Sequence, residues 1–470
     1  MCLRQALHTQ QGESALKCGM EQVMELIAKK RYREALVSLW HLAGNTTNVN
    51  AWERRHNQAE IAKSSKTLLA TLLAGKPFDA KSAMSNPLAL IEALDEFVAQ
   101  RFTARRMPPI GVMSVQGTRY WIVVDKIGAR LRTRLRNKRN DRVRWFRHHI
   151  MLPCKADQFG IGLEFLKQAS APKLFENDKT TLRLMLVEFC DHVRPDWKVT
   201  PGNNMLTADA LTHGKHATSR NTDPNALRAH RIFESLEVAR DNGVDVVVMP
   251  ELAVTPAVRQ KIATWLRETD AHGISLVAAG SFHETDAADG KRYNIARLFD
   301  QYGDTVITHR KLKPLGTLAT GLSTGDHAGE DIDVGRTMTL LSTPIGLLAL
   351  PICLDFCDAG EAIRKLWLGI FADWLLVPAM GDDSSMRAHD RAAQLEADYY
   401  QGAVVLLANV ATEGDTMHAY DDPFGQDTKR GFVFAPRGHA NLPNSAIGGQ
   451  KLAFQGNGIY ELTLHRGSVA

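Results

Sequence analysis

Three apolar runs in the second half of this 470-residue chain each stop abruptly at one chemically active side chain. Val-Asp-Val-Val-Val-Met-Pro (244–250) delivers Glu251, Asp-Thr-Val-Ile-Thr-His-Arg (304–310) delivers Lys311, and Thr-Pro-Ile-Gly-Leu-Leu-Ala-Leu-Pro-Ile (343–352) delivers Cys353. Short apolar runs bounded by turn residues read as buried strands, and buried strands demand a covered sheet. A carboxylate, an ammonium and a thiol at three strand ends converge at one sheet edge, where a scaffold can hold them rigidly beside a pocket. Together they make a base, an electrophilic stabiliser and a nucleophile. Taken singly, each residue has a plainer reading. A cysteine after an apolar run is ordinarily structural, Glu251 suits a helix N-terminus, and Lys311 is a surface charge beside Lys313. The joint pattern favours chemistry over all three.

The surrounding sequence alternates strands and helices. Leu182–Phe189 is a candidate first strand, and Asn225–Asn242 an amphipathic helix with Gly243 at its C-terminal cap. Val244–Met249 and Ile274–Gly280 are further strands, with a helix over Pro256–Thr269. Arg292–Phe299 and Val306–His309 flank the Gly303-Asp304 turn, a hairpin signal that brings in antiparallel pairing.

Residues from about 180 to 465 resemble the nitrilase, or carbon–nitrogen hydrolase, superfamily. The resemblance rests on Glu251, Lys311 and Cys353 in that order, separated by 60 and 42 positions. Four more segments carry it: Asp373–Ala379, Ala403–Asn409, Gly431–Gly438 and Gly456–Leu464. It implies an α/β fold of the α-β-β-α sandwich type and a homodimer or higher homo-oligomer, with the helix over Glu361–Phe371 at the interface. It also implies Glu251 as base, Lys311 as oxyanion stabiliser and Cys353 as the nucleophile of a thioester intermediate. Lys311 is preferred to Lys313 because His-Arg-Lys-Leu mirrors the family's aromatic-Arg-Lys pattern. The Leu354 backbone N–H is the expected second oxyanion donor, and Asp355, Glu330 and His283 are candidate pocket residues. No cofactor and no metal is required, and the acidic pairs Asp382-Asp383 and Asp421-Asp422 read as solvated loop charges. Cys357, four positions after Cys353, reads as core filler rather than a redox partner.

The chain departs from the family pattern at one point. Many members carry a further glutamate shortly after the lysine, whereas here the first carboxylates after Lys311 are Asp326 and Glu330. Either Glu330 reaches back from a loop or that role is missing. Leu354-Asp355 after the nucleophile stands closer to the amidase and carbamoylase branches than to nitrile-cleaving members. A small-molecule amide or carbamoyl compound is therefore the expected substrate.

Charge divides the chain in two. Of its 57 Lys and Arg, 29 fall within residues 1–175, against 14 of the 52 Asp and Glu; the remainder holds 28 and 38. The expected organisation is thus a basic, mainly helical accessory domain of no recognised family over 1–175, and a hydrolase domain over 180–470. Glu21–Trp40, Ile61–Leu73 and Pro87–Phe102 carry helical periodicity, and Thr118–Val124 reads as a strand. Residues 151–180 and 200–225 read as connecting loops. The window 126–147 is the most basic of the chain; Arg130, Arg132, Arg134, Arg136 and Trp145 make it a nucleic-acid surface, a solvated face, or a docking surface for the acidic catalytic domain or another protein.

No apolar run approaches the roughly 18–20 residues that span a bilayer. With no apolar leader segment and six scattered cysteines, the expectation is a cytoplasmic protein with free thiols. Two other classes stay open: an idle nitrilase-fold dimerisation module, and a nucleic-acid-associated effector, for example in bacterial defence.

Overall fold

The computed structural model describes residues 16–43, 52–77, 79–103, 112–115, 117–124, 146, 148–176, 179, 181–189, 193–200, 205–214, 221–268, 273–316, 329–358, 360–370, 372–381, 383–396, 403–410, 431–435, 450–451 and 458–463. Two units make up the chain, Met1–Lys155 and Ala156–Ala470. The basic window 126–147, with Arg130, Arg132, Arg134, Arg136 and Trp145, lies outside the described residues except for Phe146.

The first unit combines helices with a sheet. Helices α1 (Tyr32–Ala43), α2 (Gln58–Leu73), α3 (Ala80–Ser85) and α4 (Pro87–Thr103) precede strands β1 (Met113–Val115), β2 (Thr118–Val124) and β3 (His149–Pro153). Asn57 caps α2 in a capping box with Glu60, satisfying donors that a bare helix start leaves unpaired. Trp40 and Phe146 meet edge to face at 4.8 Å, and Tyr32 and Phe97 at 4.7 Å. The buried Asp95 carboxylate lies 2.7 Å from His149 Nδ1.

The second unit is built on two sheets. In the first, β5 (Thr181–Leu186), β8 (Val246–Val248), β9 (Leu276–Thr285), β10 (Arg292–Asp300), β11 (Thr305–Arg310) and β18 (Ile459–Thr463) run in the order β11-β10-β9-β8-β5-β18. The all-apolar β8 sits in parallel between β5 and β9, where a strand needs apolar residues on both faces. The second sheet contains β4 (Phe159–Phe165), β12 (Thr337–Thr343), β13 (Gly346–Ala349), β14 (Trp374–Met380), β15 (Val404–Val410), β16 (Gly431–Ala435) and β17 (Gln450–Lys451). They follow the order β17-β16-β15-β14-β13-β12-β4.

The sheets pack face to face through β9 and β8 against β14 and β15. Helices α5 (Pro224–Asp241) and α6 (Pro256–Glu268) cover the outer face of the first sheet, burying Ile232, Leu236, Val258 and Ile262 against Val247 and Val277. Helices α7 (Leu354–Cys357), α8 (Glu361–Gly369) and α9 (Asp383–Gln394) belong to the second sheet's connections. This is a mixed α/β architecture with the two-sheet core expected of the sandwich.

Two expectations are corrected. Residues 151–180 contain a core strand rather than a loop, because β4 pairs in parallel with β12. Gly160 and Gly162 look like loop punctuation in sequence, yet side chains there would crowd Thr337 Oγ1 at 3.3 Å and Thr339 Oγ1 at 3.2 Å. β4 lies within the second unit, which begins at Ala156. Residues 200–225 likewise include β7 (Met205–His213), which pairs with β6 (Val193–Thr200) as an antiparallel hairpin. The polar turn residues at 201–204 had drawn the whole stretch towards loop.

Glu396 follows α9 and is buried, and its Oε2 has no hydrogen-bond partner among the described residues. Burial pushes its carboxyl up to about 8. The fold favours the protonated form, so its support is full below an unfolded pKa of about 4.3 and is lost as pH rises from there through the folded value. Thermal melts between pH 5 and pH 9 should show a declining melting temperature, with a shallower decline and a higher pH 9 value in Glu396→Gln.

Candidate active site

Glu251 begins where β8 ends. The turn that aims it is tight: Leu252 has φ 51°, and a side chain on Gly280 (φ +57°) would stand 2.4 Å from the Pro250 carbonyl oxygen. Gly280 lies at the bulge where β9 shifts register against β10, so the missing Cβ lets the Pro250-Glu251 turn approach the sheet. Lys311 directly follows β11, and its N–H donates to the Asn294 carbonyl at 2.9 Å. Cys353 caps α7 with φ 46° and ψ −105°, a conformation costing about 1–3 kcal/mol for a residue with a side chain.

The strained cysteine is held by a neighbouring strand. β13 leaves β14 after Ala349↔Leu375, freeing carbonyls further along β14. The Cys353 N–H donates to the Pro378 oxygen at 2.9 Å, and the Glu251 N–H to the Ala379 oxygen at 3.2 Å. Adjacent carbonyls of one strand thus fix the backbones of Glu251 and Cys353.

The side chains converge in a buried cluster. Lys311 Nζ donates to Glu251 Oε1 at 2.7 Å and to Glu330 Oε2 at 2.6 Å, with all three residues 2% exposed. Glu330 therefore does stand beside the lysine despite lying 19 residues later in the chain. Asn294 Nδ2 donates to Glu251 Oε1 at 2.9 Å and to Glu330 Oε1 at 3.3 Å. The Leu315 N–H reaches Glu330 Oε2 at 2.7 Å, and His283 Nε2 lies 3.1 Å from Oε1. The Cys353 thiol and the Glu251 carboxylate are near enough to influence one another's charge, and Cys353 is 5% exposed.

Burial and charge push the two carboxyls apart. Burial raises the Glu251 pKa, and the nearby Glu330 charge adds to this against the pull of Lys311. Glu330 is buried too, but the Lys311 ammonium and the His283 hydrogen bond outweigh that and hold it well below the usual carboxylate range. Burial works against the Lys311 ammonium, yet Glu251 and Glu330 raise its pKa well above the ordinary value. Burial, then the Glu251 charge, push the Cys353 thiol well up. Cys353 therefore rests as a thiol, and any reaction at its sulfur would need a base. Glu251 is the carboxyl suited to accept its proton, while Glu330 stays ionised.

Leu354 and Asp355 take different places. No acceptor for the Leu354 N–H is found among the described residues, and it opens a helical turn beside Cys353. The Cys353 N–H is spent on Pro378, which leaves Leu354 as the available donor. Asp355 is fully buried and faces the lysine segment. Its Oδ1 accepts the Leu312 and Lys313 N–H groups, each at 2.8 Å, and its Oδ2 lies 2.8 Å from His309 Nε2. It thus ties the segment carrying Lys311 to the one carrying Cys353.

Sequence reasoning missed Asn294 and the β14 carbonyls. Asn294 sits within an apolar strand pattern, where a lone buried amide is the available signal. Backbone carbonyls leave no mark in sequence. No three His, Cys, Asp or Glu among the described residues are placed to hold a metal, and no described helix is long and apolar enough to cross a membrane.

Replacing Asp355 with Ala should strand donors on four residues, His309, Leu312, Lys313 and Ile352, and cost about 3 kcal/mol of stability. Urea denaturation of the variant checks this; an unchanged midpoint would remove Asp355 as the tie.

No family model matches the chain, and no curated protein does. Solved structures similar to it include Saccharomyces cerevisiae Nit3, described as a member of branch 10 of the nitrilase superfamily. It is 16% identical over 61% of this chain and 90% of that one, with a TM-score of 0.38. An amidase from Nesterenkonia sp. is 15% identical over 62% and 91%, with a TM-score of 0.36. A cysteine-to-alanine mutant of the Nesterenkonia sp. AN1 amidase, solved with butyramide, is 16% identical over 61% and 90%, also at 0.36. At TM-scores below 0.5 these likenesses carry no weight for the site, which stands on the residues described above.

Proposed function

We propose that the protein is a carbon–nitrogen hydrolase that cleaves a small amide or carbamoyl compound through a thioester on Cys353. The observation that carries this reading is the buried Lys311 ammonium shared between Glu251 and Glu330, with the backbones of Glu251 and Cys353 held side by side on adjacent β14 carbonyls. Glu251 takes the thiol proton as sulfur attacks the substrate carbonyl carbon. The oxyanion that forms meets Lys311 Nζ and the Leu354 N–H. Collapse of the tetrahedral species passes the proton from Glu251 to the departing nitrogen, which leaves as amine or ammonia. Glu251, again a carboxylate, deprotonates water for attack on the thioester, and acid and free thiol are released. Neither a metal nor an organic cofactor enters this sequence.

The raised Glu251 carboxyl suits both proton transfers better than an exposed glutamate, because its proton affinity lies nearer that of the thiol. Glu330 supplies a counter-charge to Lys311 when Glu251 is protonated. By sequence resemblance, a homo-oligomer is part of the proposal. The basic window 126–147 keeps its readings as a nucleic-acid surface, a solvated face or a docking surface.

A panel of primary amides and carbamoyl compounds, assayed for released ammonia or amine, tests the activity. Turnover is expected for the wild type and should be lost in Cys353→Ala, with Lys311→Ala slower by about a hundredfold or more. Turnover that survives Cys353→Ala would refute the thioester route.

A further inference from the structure

We propose that His283 is a positioning residue for the Cys353 reaction, locked by the β6–β7 hairpin into the tautomer that donates from Nε2 into Glu330. The proposal rests on the hydrolase reading above and adds to it the device that keeps Glu330 in place.

The hydrogen bonds define the tautomer. The Ala208 N–H donates to His283 Nδ1 at 3.0 Å, so Nδ1 holds a lone pair. In a neutral imidazole the proton then sits on Nε2, which faces Glu330 Oε1 at 3.1 Å. Protonated at Nδ1, the ring would set two N–H groups against each other and lose the Ala208 bond. Trp197 of β6 adds an edge-to-face contact with the imidazole at 5.8 Å, and the ring is buried.

The same hairpin holds Glu330 by its backbone. The Leu206 N–H donates to Gly329 O at 2.8 Å, and the Asp331 N–H to Leu206 O at 2.9 Å, a parallel bridge centred on Glu330. Below it, Val193, Ala208 and Leu211 pack on Leu252 and Phe282, next to Glu251 and His283 in sequence, and against Met380. One hairpin thus grips the backbone of Glu330, the imidazole that bonds its carboxylate, and the strained turn that aims Glu251. This explains how a carboxylate so far beyond Lys311 in sequence is held against it.

The consequence is chemical. Charged or titratable groups facing Glu330 are Lys311, Glu251 and His283; those facing Glu251 are Lys311, Glu330, Cys353 and His389. While His283 donates, Glu330 stays ionised and takes its share of the Lys311 ammonium. Without that donor Glu330 accepts a proton more readily, and Glu251 loses the neighbouring negative charge that keeps it a strong base.

The test is the pH profile of iodoacetamide labelling at Cys353, read by peptide mass spectrometry, in wild type, His283→Ala, His283→Gln and Glu251→Gln. His283→Ala should label about tenfold more slowly at pH 7, with the acid-side midpoint moved to lower pH. His283→Gln keeps a side-chain N–H and should recover to within about threefold of wild type. A purely structural histidine would leave the midpoint where it is. Should the alanine variant not fold, Ala208→Pro deletes the N–H that sets the tautomer and leaves every side chain of the cluster in place; it should slow labelling likewise. Wild-type rate and midpoint in whichever of these two variants folds would overturn the proposal. If Glu251→Gln slows Cys353 but the His283 and Ala208 variants do not, this inference alone fails; if Glu251→Gln is also silent, the hydrolase reading fails with it.

Discussion

The site depends on one buried ammonium. Lys311 lies between Glu251 and Glu330 at 2.7 and 2.6 Å, out of contact with bulk water. An isolated charge at that depth costs several kcal/mol, and even a well-made ion pair offsets this only when the remaining lone pairs are satisfied. Here Asn294, His283 and the Leu315 N–H satisfy them. With two carboxylates to one ammonium, the cluster has one more anionic site than it can neutralise; burial bears on both, but the His283 and Leu315 donors favour the Glu330 carboxylate and leave the excess proton affinity on Glu251. The same imbalance that strains the cluster raises the proton affinity of Glu251.

Backbone geometry completes the arrangement. The positive φ of Leu252 and Cys353 turns the chain sharply after an apolar run, so the active side chain leaves the sheet instead of continuing it. Such turns persist only where surrounding structure over-determines them. β14 does this with two consecutive carbonyls, and Asp355 does it from the other side by bonding the lysine segment. In the proposed reaction a rigid frame of this kind would keep the thiol near Glu251 through both proton transfers, which is what preorganisation contributes to rate.

Much of this was legible in the sequence, for a physical reason. Val246–Val248 and the run before Cys353 are buried on both faces, so composition alone marks them as strands, and a charged or nucleophilic residue at their ends stands out against the apolar run. Helices α5 and α6 announced themselves by periodicity and by their flanking Pro, Gly and Asn residues. β4 and the β6–β7 hairpin did not, because glycines and polar residues in them serve close packing and backbone pairing that only the partner strand reveals. Glu330 was readable as a candidate, but its return to Lys311 depends on the hairpin bridging Leu206 and Glu330. Asn294 was missed for the same cause: its role lies in what it faces across the sheet.

The most direct measurement is the labelling rate of each cysteine by iodoacetamide at pH 7, in wild type and Glu251→Gln. If Glu251 is the base that draws the proton from a buried thiol, Cys353 labels ahead of Cys18, Cys154 and Cys357, and the glutamine variant slows Cys353 alone by about a hundredfold. Equal labelling of Cys353 in the two proteins would contradict the account, because the thiol would then react without the carboxylate that the whole cluster is arranged to make basic.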